Sequence, residues 1–570
     1  MTSSSAENAK NAAINVRQEL NIPVAMRDSV VLVADLYRPD TDAPVPVIVA
    51  RTPYGKNTEF SYRKAMWWAR RGYAFLWMDV RGRGDSEGDF RPHRDEPLDG
   101  YDTIEWAAKQ PWCDGQVVTW GQSYLGYVQW LTAVEQPPSL KAMIVYVPPS
   151  DPFVEWPTGV HLPMEVCWFR LIDGRSLQYV EGIDWDAVYD HLPLLSLDEH
   201  AGFHSKHWRD DLSHSPSDTE YWGPKNYQHR FGQVDIPTMH VTGWYDDVQP
   251  ATFINFTRMT KQAPTERTQR AQRLVVGPWD HGLTRRRERT LGPIDFGPGA
   301  DFDLDGHELR FLDHFVKGLD NGAHADPRAQ LFIMGEDQWR SEDEWPIART
   351  KWTSLYLSSG GSANTRFGDG VLTWEQPGTD EPADTYRYDP ADPVPYITSS
   401  TSHQIGGPDD YRTIEERADV LVYSTPVLET DVEVTGPVRL ELFASSDAVD
   451  TDFTAKLVDV HPDGFCQRLN DGIVRGRFRE GLDEERFLRP GEVYKFEVHL
   501  WSTSQVFRAG HQIRLEISSS TFPKYDRNLN TGGPLATGVE SKVAENSVWH
   551  SAGHPSRLIL PVIPAADVTG

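Results

Sequence analysis

The chain has 570 residues, room for about two to four domains, which excludes a single small binding module. Hydrophobic residues make up 39% and charged residues 25%, and 20 Trp, 21 Tyr and 23 Phe need interiors to occupy, so the chain folds rather than staying disordered. Lys+Arg 56 against Asp+Glu 84 leaves a net charge of −28, which repels phosphate backbones and anionic lipid; neither nucleic acid nor a membrane is an expected partner.

Residues 1–15 are polar and lack the charged-then-apolar pattern of a signal peptide, and no run of about 18 apolar residues follows anywhere, so a cytoplasmic protein is expected. From 16 to 149, short apolar runs (45–50, 73–78, 117–120, 142–147) alternate with helical patterns at 62–71 and 101–109. Runs that are hydrophobic throughout suit a parallel sheet covered on both faces. The pattern breaks after Pro148-Pro149 into a stretch rich in Trp, Pro, His and Asp, then resumes with strands at 236–242 and 274–276 and an amphipathic helix at 307–317. Beyond about Asp326 the strands turn to period two, as in 438–442, 494–498 and 513–517, which is the pattern of antiparallel sheets buried on one face. The expected fold class is α/β: a core in two parts (1–150 and 236–325), a helical cap inserted at 151–235, and a C-terminal β-sandwich, a jelly roll, over 326–570. Cys113, Cys167 and Cys466 are odd in number and scattered, and are expected as buried structural thiols; no metal site or cofactor is expected.

The sharpest local signal is Val117-Val118-Thr119-Trp120-Gly121-Gln122-Ser123-Tyr124-Leu125-Gly126, a strand running through Gly-x-Ser into a helix. A nucleophile elbow needs small residues beside the serine because the turn is strained and neighbouring backbone comes close. Here the second glycine lies three residues after Ser123 instead of two, and the alternative is a serine that merely caps the helix. A serine hydroxyl needs a base, and that base needs an acid to set its tautomer. His281, in Gly277-Pro278-Trp279-Asp280-His281-Gly282, follows the strand at 274–276; Asp246 and Asp247, in Gly243-Trp244-Tyr245-Asp246-Asp247, follow the preceding strand. Both lie where active-site loops leave an open α/β sheet, and the order Ser, Asp, His is that of α/β-hydrolases. The N–H of Tyr124 is one oxyanion donor by geometry. Tyr54, in the loop after the third strand, offers either a phenolic donor or a packing residue.

These segments resemble a known family. Arg51-Thr52-Pro53-Tyr54-Gly55-Lys56, Asp79-Val80-Arg81-Gly82-Arg83-Gly84-Asp85-Ser86-Glu87-Gly88, the Ser123 segment, Gly243-Trp244-Tyr245-Asp246 and Gly277-Pro278-Trp279-Asp280-His281 are similar to those of the bacterial cocaine esterase group. That group belongs to the CocE/NonD hydrolases, relatives of the X-Pro dipeptidyl-peptidases. The likeness continues through 448–456 and 522–528, so it covers nearly the whole chain. It implies an α/β-hydrolase core, a helical cap and a jelly roll, with Ser123 as nucleophile, His281 as base and Asp246, rather than Asp247, as its orienter. It also implies Tyr54 and the Tyr124 amide as the oxyanion hole, and a homodimer. The Asp79 to Gly88 stretch lacks Gly-Lys-Ser/Thr and is expected to be an internally paired loop buttressing the site.

In relatives that hydrolyse cocaine-like esters, cap tryptophans and a jelly-roll loop form the acyl pocket; Trp156 and Trp168 resemble those tryptophans, and the loop corresponds to the polar Ser399-Ser400-Thr401-Ser402-His403. Val248 is a small pocket wall, so a benzoyl group is expected to meet a wetter, less aromatic site. Val248-Gln249-Pro250 leaves only Asp247 charged after Asp246, which disfavours a dedicated ammonium site. The expected activity is hydrolysis of carboxylic esters of small organic molecules through an acyl-enzyme, falling below about pH 6–7 as His281 protonates. The alternatives are an amidase, aminopeptidase or α-amino-acid ester hydrolase on the same triad, and a non-catalytic carbohydrate-binding protein.

Overall fold

A computed structural model describes residues 15–150, 159–282, 288–378, 380–397 and 406–565. A ten-stranded sheet runs in the order β1 (Val16–Ala25), β2 (Val31–Pro39), β4 (Ala74–Asp79), β3 (Val45–Thr52), β5 (Cys113–Gln122), β6 (Leu140–Tyr146), β7 (Thr238–Gly243), β8 (Arg273–Gly277), β11 (Ala329–Ile333) and β12 (Gln338–Glu342). The ribbon β9 (Thr290–Leu291) and β10 (Ile294–Asp295) lies apart from it. The inner strands pair in parallel, and β4, β7 and β8 are buried at every residue; β4 reads as an unbroken apolar run up to Asp79, while β7 buries Thr238, His240 and Thr242 as well. The parallel strands require crossovers, supplied by α1 (Glu59–Ala69), α2 (Glu96–Ala108), α3 (Tyr124–Ala133) and the elements between β6 and β7. Sequence punctuation sets their ends: Thr58 caps α1 by accepting from the Ser61 N–H, and Pro97 sits in the first turn of α2.

Between β6 and β7 the chain leaves the sheet for a cap of short helices, α4 (Glu165–Leu171), α5 (Trp185–Asp190), α6 (Leu197–His200), α7 (Lys206–Ser213) and α8 (Thr219–Trp222). Their core is Phe169, Trp185, Tyr189, Leu197 and Trp208, so most of the aromatic richness of this stretch goes into holding short helices together. After β7 come α9 (Gln249–Gln262) and α10 (Glu266–Arg270), then α11 (Leu304–Phe315) after β10.

The core sheet continues past the expected boundary at 326. β11 pairs in parallel with β8 and β12 closes the edge, so residues up to Glu342 belong to the α/β layer. The expected boundary falls earlier because β12, on the sheet edge, buries only Glu342 fully and lacks the unbroken apolar run of the inner strands. The remaining eleven strands, from Lys351 to Ile563, form a β-rich domain in which β17 (Val432–Ser446) pairs with β20 (Tyr494–Phe507), and β18 (Asp452–Val460) lies between β19 (Cys466–Arg475) and β21 (Gln512–Ser518). β17 and the first half of β20 show the expected period-two burial. β18 and β19 are buried at every residue, being covered on their second face too. The two domains are stitched by backbone and side chain alike: Gln249 at the head of α9 both donates to the Ser502 carbonyl and accepts from the Ser502 N–H, and Met334 donates its N–H to the Ser504 carbonyl while its own carbonyl accepts from the Val506 N–H. The three cysteines are free and buried, as expected.

Candidate active site

Ser123 stands between β5 and α3 with φ 58° and ψ −123°, a conformation that a non-glycine residue adopts only where its surroundings compel it. The two glycines explain how. A Cβ on Gly121 would lie 2.3 Å from the Leu125 Cβ, and one on Gly126 would lie 2.7 Å from the Tyr146 carbonyl oxygen on β6. Gly121 makes room for Leu125, and Gly126 lets α3 approach β6, so the longer spacing serves the same tight turn. The Ser123 N–H donates to the Tyr146 carbonyl at 3.0 Å, and Tyr124 opens the helix, where N–H groups have no intrahelical acceptor.

The loops after β7 and β8 are packed on each other: the Tyr245 N–H donates to the Trp279 carbonyl at 3.0 Å, and a Cβ on Gly243 would fall 2.0 Å from that oxygen. This contact brings His281 Nδ1 to 3.1 Å and 3.3 Å from the two carboxylate oxygens of Asp246, to which it donates. Asp246 Oδ1 also accepts from the Val248 N–H at 2.9 Å, which fixes the carboxylate. Asp247 Oδ1 lies 3.0 Å from the same nitrogen but outside hydrogen-bond geometry, so one imidazole carries one bonded and one merely adjacent carboxylate. Burial alone would lower the His281 pKa; the charges of Asp247 and Asp246 outweigh it and hold the ring well above its usual value. Burial pushes the wholly enclosed Asp246 up to about 6. Asp247 is also penalised by burial, but the neighbouring imidazole holds it below its usual value; it keeps some solvent contact and carries the charge more readily.

Tyr54 lies just past β3 with its N–H donating to Thr52 Oγ1, and its hydroxyl accepts from the Trp168 indole at 2.9 Å. That bond leaves the phenolic proton available for another acceptor. The charged side chains of the Asp79 to Gly88 loop, expected to pair with one another, pair instead with residues outside it, and so tie the loop to its surroundings. Lys56 Nζ bonds to Asp85 and lies 3.6 Å from Asp79, Arg81 bonds to Asp99, and buried Arg83 donates to the Pro53 carbonyl at 2.8 Å and to the Ile172 carbonyl of the cap at 2.6 Å. Arg83 thus ties the residue before Tyr54 to the segment that carries Trp168.

Ser123, His281, Tyr54, Tyr124, Trp168 and Val248 all line one cavity of about 800 Å3. Trp156 lies outside the described residues, as does the Ser399 to His403 loop. Phe60, Trp77, Trp120 and Phe169 also face the cavity, so its described wall is more aromatic than Trp168 and Val248 alone suggest. Phe60, Trp77 and Trp120 come from α1, β4 and β5 of the core, where apolar residues read simply as interior, so attention to cap and jelly-roll loop missed them. Other lining residues missed were Tyr245, Lys225 and Lys524; Lys524 is buried in the β-rich domain, 2.7 Å from Asp471. Burial lowers its pKa to about 8, countered in part by Asp471. Its place in the 522–528 stretch was visible, but only chain folding brings that stretch to the cavity.

Residues 28–283 match the X-Pro dipeptidyl-peptidase (S15) family, and residues 321–559 match the X-Pro dipeptidyl-peptidase C-terminal non-catalytic domain. Cocaine esterase from Rhodococcus sp. (strain MB1 Bresler) is 40% identical over 95% of this chain and 98% of its own. The chain belongs to the cocaine esterase-like CocE/NonD family of serine hydrolases. An aminopeptidase from the marine sediment archaeon Thaumarchaeota archaeon superposes with a TM-score of 0.83 at 26% identity, covering 97% of each chain. An α-amino acid ester hydrolase superposes with a TM-score of 0.85 at 23% identity, again over 97% of each, which speaks for the shared α/β-hydrolase-like fold with its β-rich C-terminal domain.

Proposed function

We propose that this CocE/NonD family member hydrolyses carboxylic esters of small organic molecules through an acyl-enzyme on Ser123, with His281 as base and Asp246 as its orienter. The observation that carries the assignment is the meeting of the strained Ser123 turn with the Asp246–His281 pair on one cavity. His281 Nε2 takes the serine proton as Oγ attacks the carbonyl carbon, returns it to the departing alcohol oxygen, and then draws a proton from water to release the acid. The Tyr54 hydroxyl and the Tyr124 N–H receive the charge on the carbonyl oxygen. Trp168 and Val248 line the acyl pocket together with the core aromatics, and that aromatic wall favours bulky apolar acyl groups, benzoyl included.

The β-rich domain is read as a jelly roll whose role is to close the cavity through Lys524. The substrate is a small molecule, with neither nucleic acid nor membrane as partner, given the charge of −28 and no helix, among the described residues, long and apolar enough to cross a membrane. A cytoplasmic homodimer completes the proposal. The test is release of p-nitrophenol from p-nitrophenyl acetate and benzoate, followed early enough to see a burst, beside Ser123→Ala. Turnover of both esters by the wild type and neither by the variant is expected; equal rates in the two proteins refute the assignment.

A further inference from the structure

The end of β18 and the start of β21, linked to Tyr245 through Gln467, bring Asp459, His461 and His511 together. Asp459 is the penultimate residue of β18, opposite Gln467 on β19 and Ile513 on β21; His461 follows β18 directly and His511 precedes β21. One ligand atom from each of the three lies within 4.8 Å of the others. His511 Nδ1 is 2.8 Å from Asp459 Oδ1, His461 Nε2 is 2.9 Å from Gln467 Oε1, and the two imidazole centroids are 4.5 Å apart with their planes at 42°. The surroundings are those of a supported ligand set. Asp459 is buried, its second oxygen accepts from Gln505 Nε2 at 2.8 Å, and Gln467 Nε2 donates to the Tyr245 hydroxyl at 3.1 Å, so carboxylate and amide are both held from behind.

We propose that Asp459, His461 and His511 bind a divalent transition-metal ion of the zinc class. Two imidazoles and one carboxylate are the donors that zinc, cobalt(II) and nickel(II) favour over calcium or magnesium, and Gln467 Oε1 or water supplies the fourth position. Ligation needs an unprotonated ring nitrogen on each histidine, so a neutral ring shifts its proton to the other nitrogen, a charged one releases a proton, and binding weakens in acid. It braces the β18–β19 and β20–β21 turns against each other, and through Gln467 it stiffens Tyr245, the neighbour of Asp246.

The test uses the full-length protein stripped with a chelator and titrated with Zn2+ and with Co2+, reading metal bound per chain, the visible d–d absorption of cobalt, and the melting temperature. One ion per chain, a cobalt spectrum with an imidazole-rich low-coordinate signature, and a rise in Tm with zinc are expected. His461→Gln and His511→Gln are expected to weaken binding at least about tenfold, since losing even an outer-shell partner of a metal costs about 10–100-fold. Both variants are checked for native folding by circular dichroism. His281→Gln removes the other Asp/Asp/His grouping of the described residues, at the active site, and is expected to keep the tight ion. Binding that survives in a His461→Gln, His511→Gln double variant, binding lost only in His281→Gln, or no binding to the wild type overturns the proposal.

Discussion

Gln122 Nε2 donates to the main-chain carbonyl of His281 at 2.8 Å, so the residue before Ser123, the proposed nucleophile, holds the backbone of the proposed base. The elbow and the histidine loop are therefore registered by a direct bond, beyond the packing of their strands. Gln122→Ala leaves that carbonyl without its donor and frees the loop. A fall in kcat of about tenfold with KM little changed is expected on p-nitrophenyl esters, because loss of registration acts on the reacting geometry rather than on substrate contacts.

The two carboxylates beside His281 set where activity is lost in acid. To act as the proposed base the imidazole must be neutral, and its pKa stands above the usual value because Asp247 and Asp246 outweigh the effect of burial. The acid limb of kcat/KM is accordingly expected above the ordinary histidine range, higher than the pH 6–7 that an unperturbed ring implies. Asp247→Asn removes one of the two charges without removing the hydrogen-bonded acid, so its acid limb is expected to move to lower pH while the plateau rate changes little. Asp246→Asn is expected to lower the plateau itself by orders of magnitude. Matching limbs in wild type and Asp247→Asn would show that Asp247 does not act on the ring.

The indole of Trp168 orients the hydroxyl of Tyr54 from the cap. Tyr54→Phe is expected to cost about 10²–10³-fold in kcat, the usual loss for one oxyanion donor. Trp168→Phe keeps the aromatic wall but removes the bond, and a smaller loss, about tenfold, is expected in kcat measured on the same ester.

Arg83 is fully enclosed and bonds to carbonyls of both the Tyr54 loop and the cap. Arg83→Met fills most of the volume and strands two buried acceptors, at about 1–3 kcal/mol each. A loss of several kcal/mol in urea unfolding, together with a lower kcat, is expected; a variant as stable as the wild type would place the loop's support elsewhere.

The proposed triad residues were legible because each lies just beyond a strand of the core sheet, and an open α/β sheet collects such loops at one edge. The same logic fails at β12, an edge strand whose polar, half-exposed residues lack the unbroken apolar run of the inner strands. The cavity wall was less legible. Phe60, Trp77 and Trp120 carry the signature of interior residues, and nothing local distinguishes a side chain buried against protein from one facing a cavity. Trp168 reaches Tyr54 only through the cap fold, and Lys524 arrives from the other domain. The Asp459, His461 and His511 grouping depends on the register of β18 with β19 and β21, which residue spacing along the chain does not reveal.

Peptide-mapped mass spectrometry of the protein after treatment with a fluorophosphonate tests the central claim most directly, because covalent capture requires an activated serine and reports its position. A single adduct on Ser123, abolished in Ser123→Ala and strongly slowed in His281→Gln, is the expected result. An adduct on another serine, or none under conditions where the protein is folded, would contradict the assignment of this site as that of a serine hydrolase.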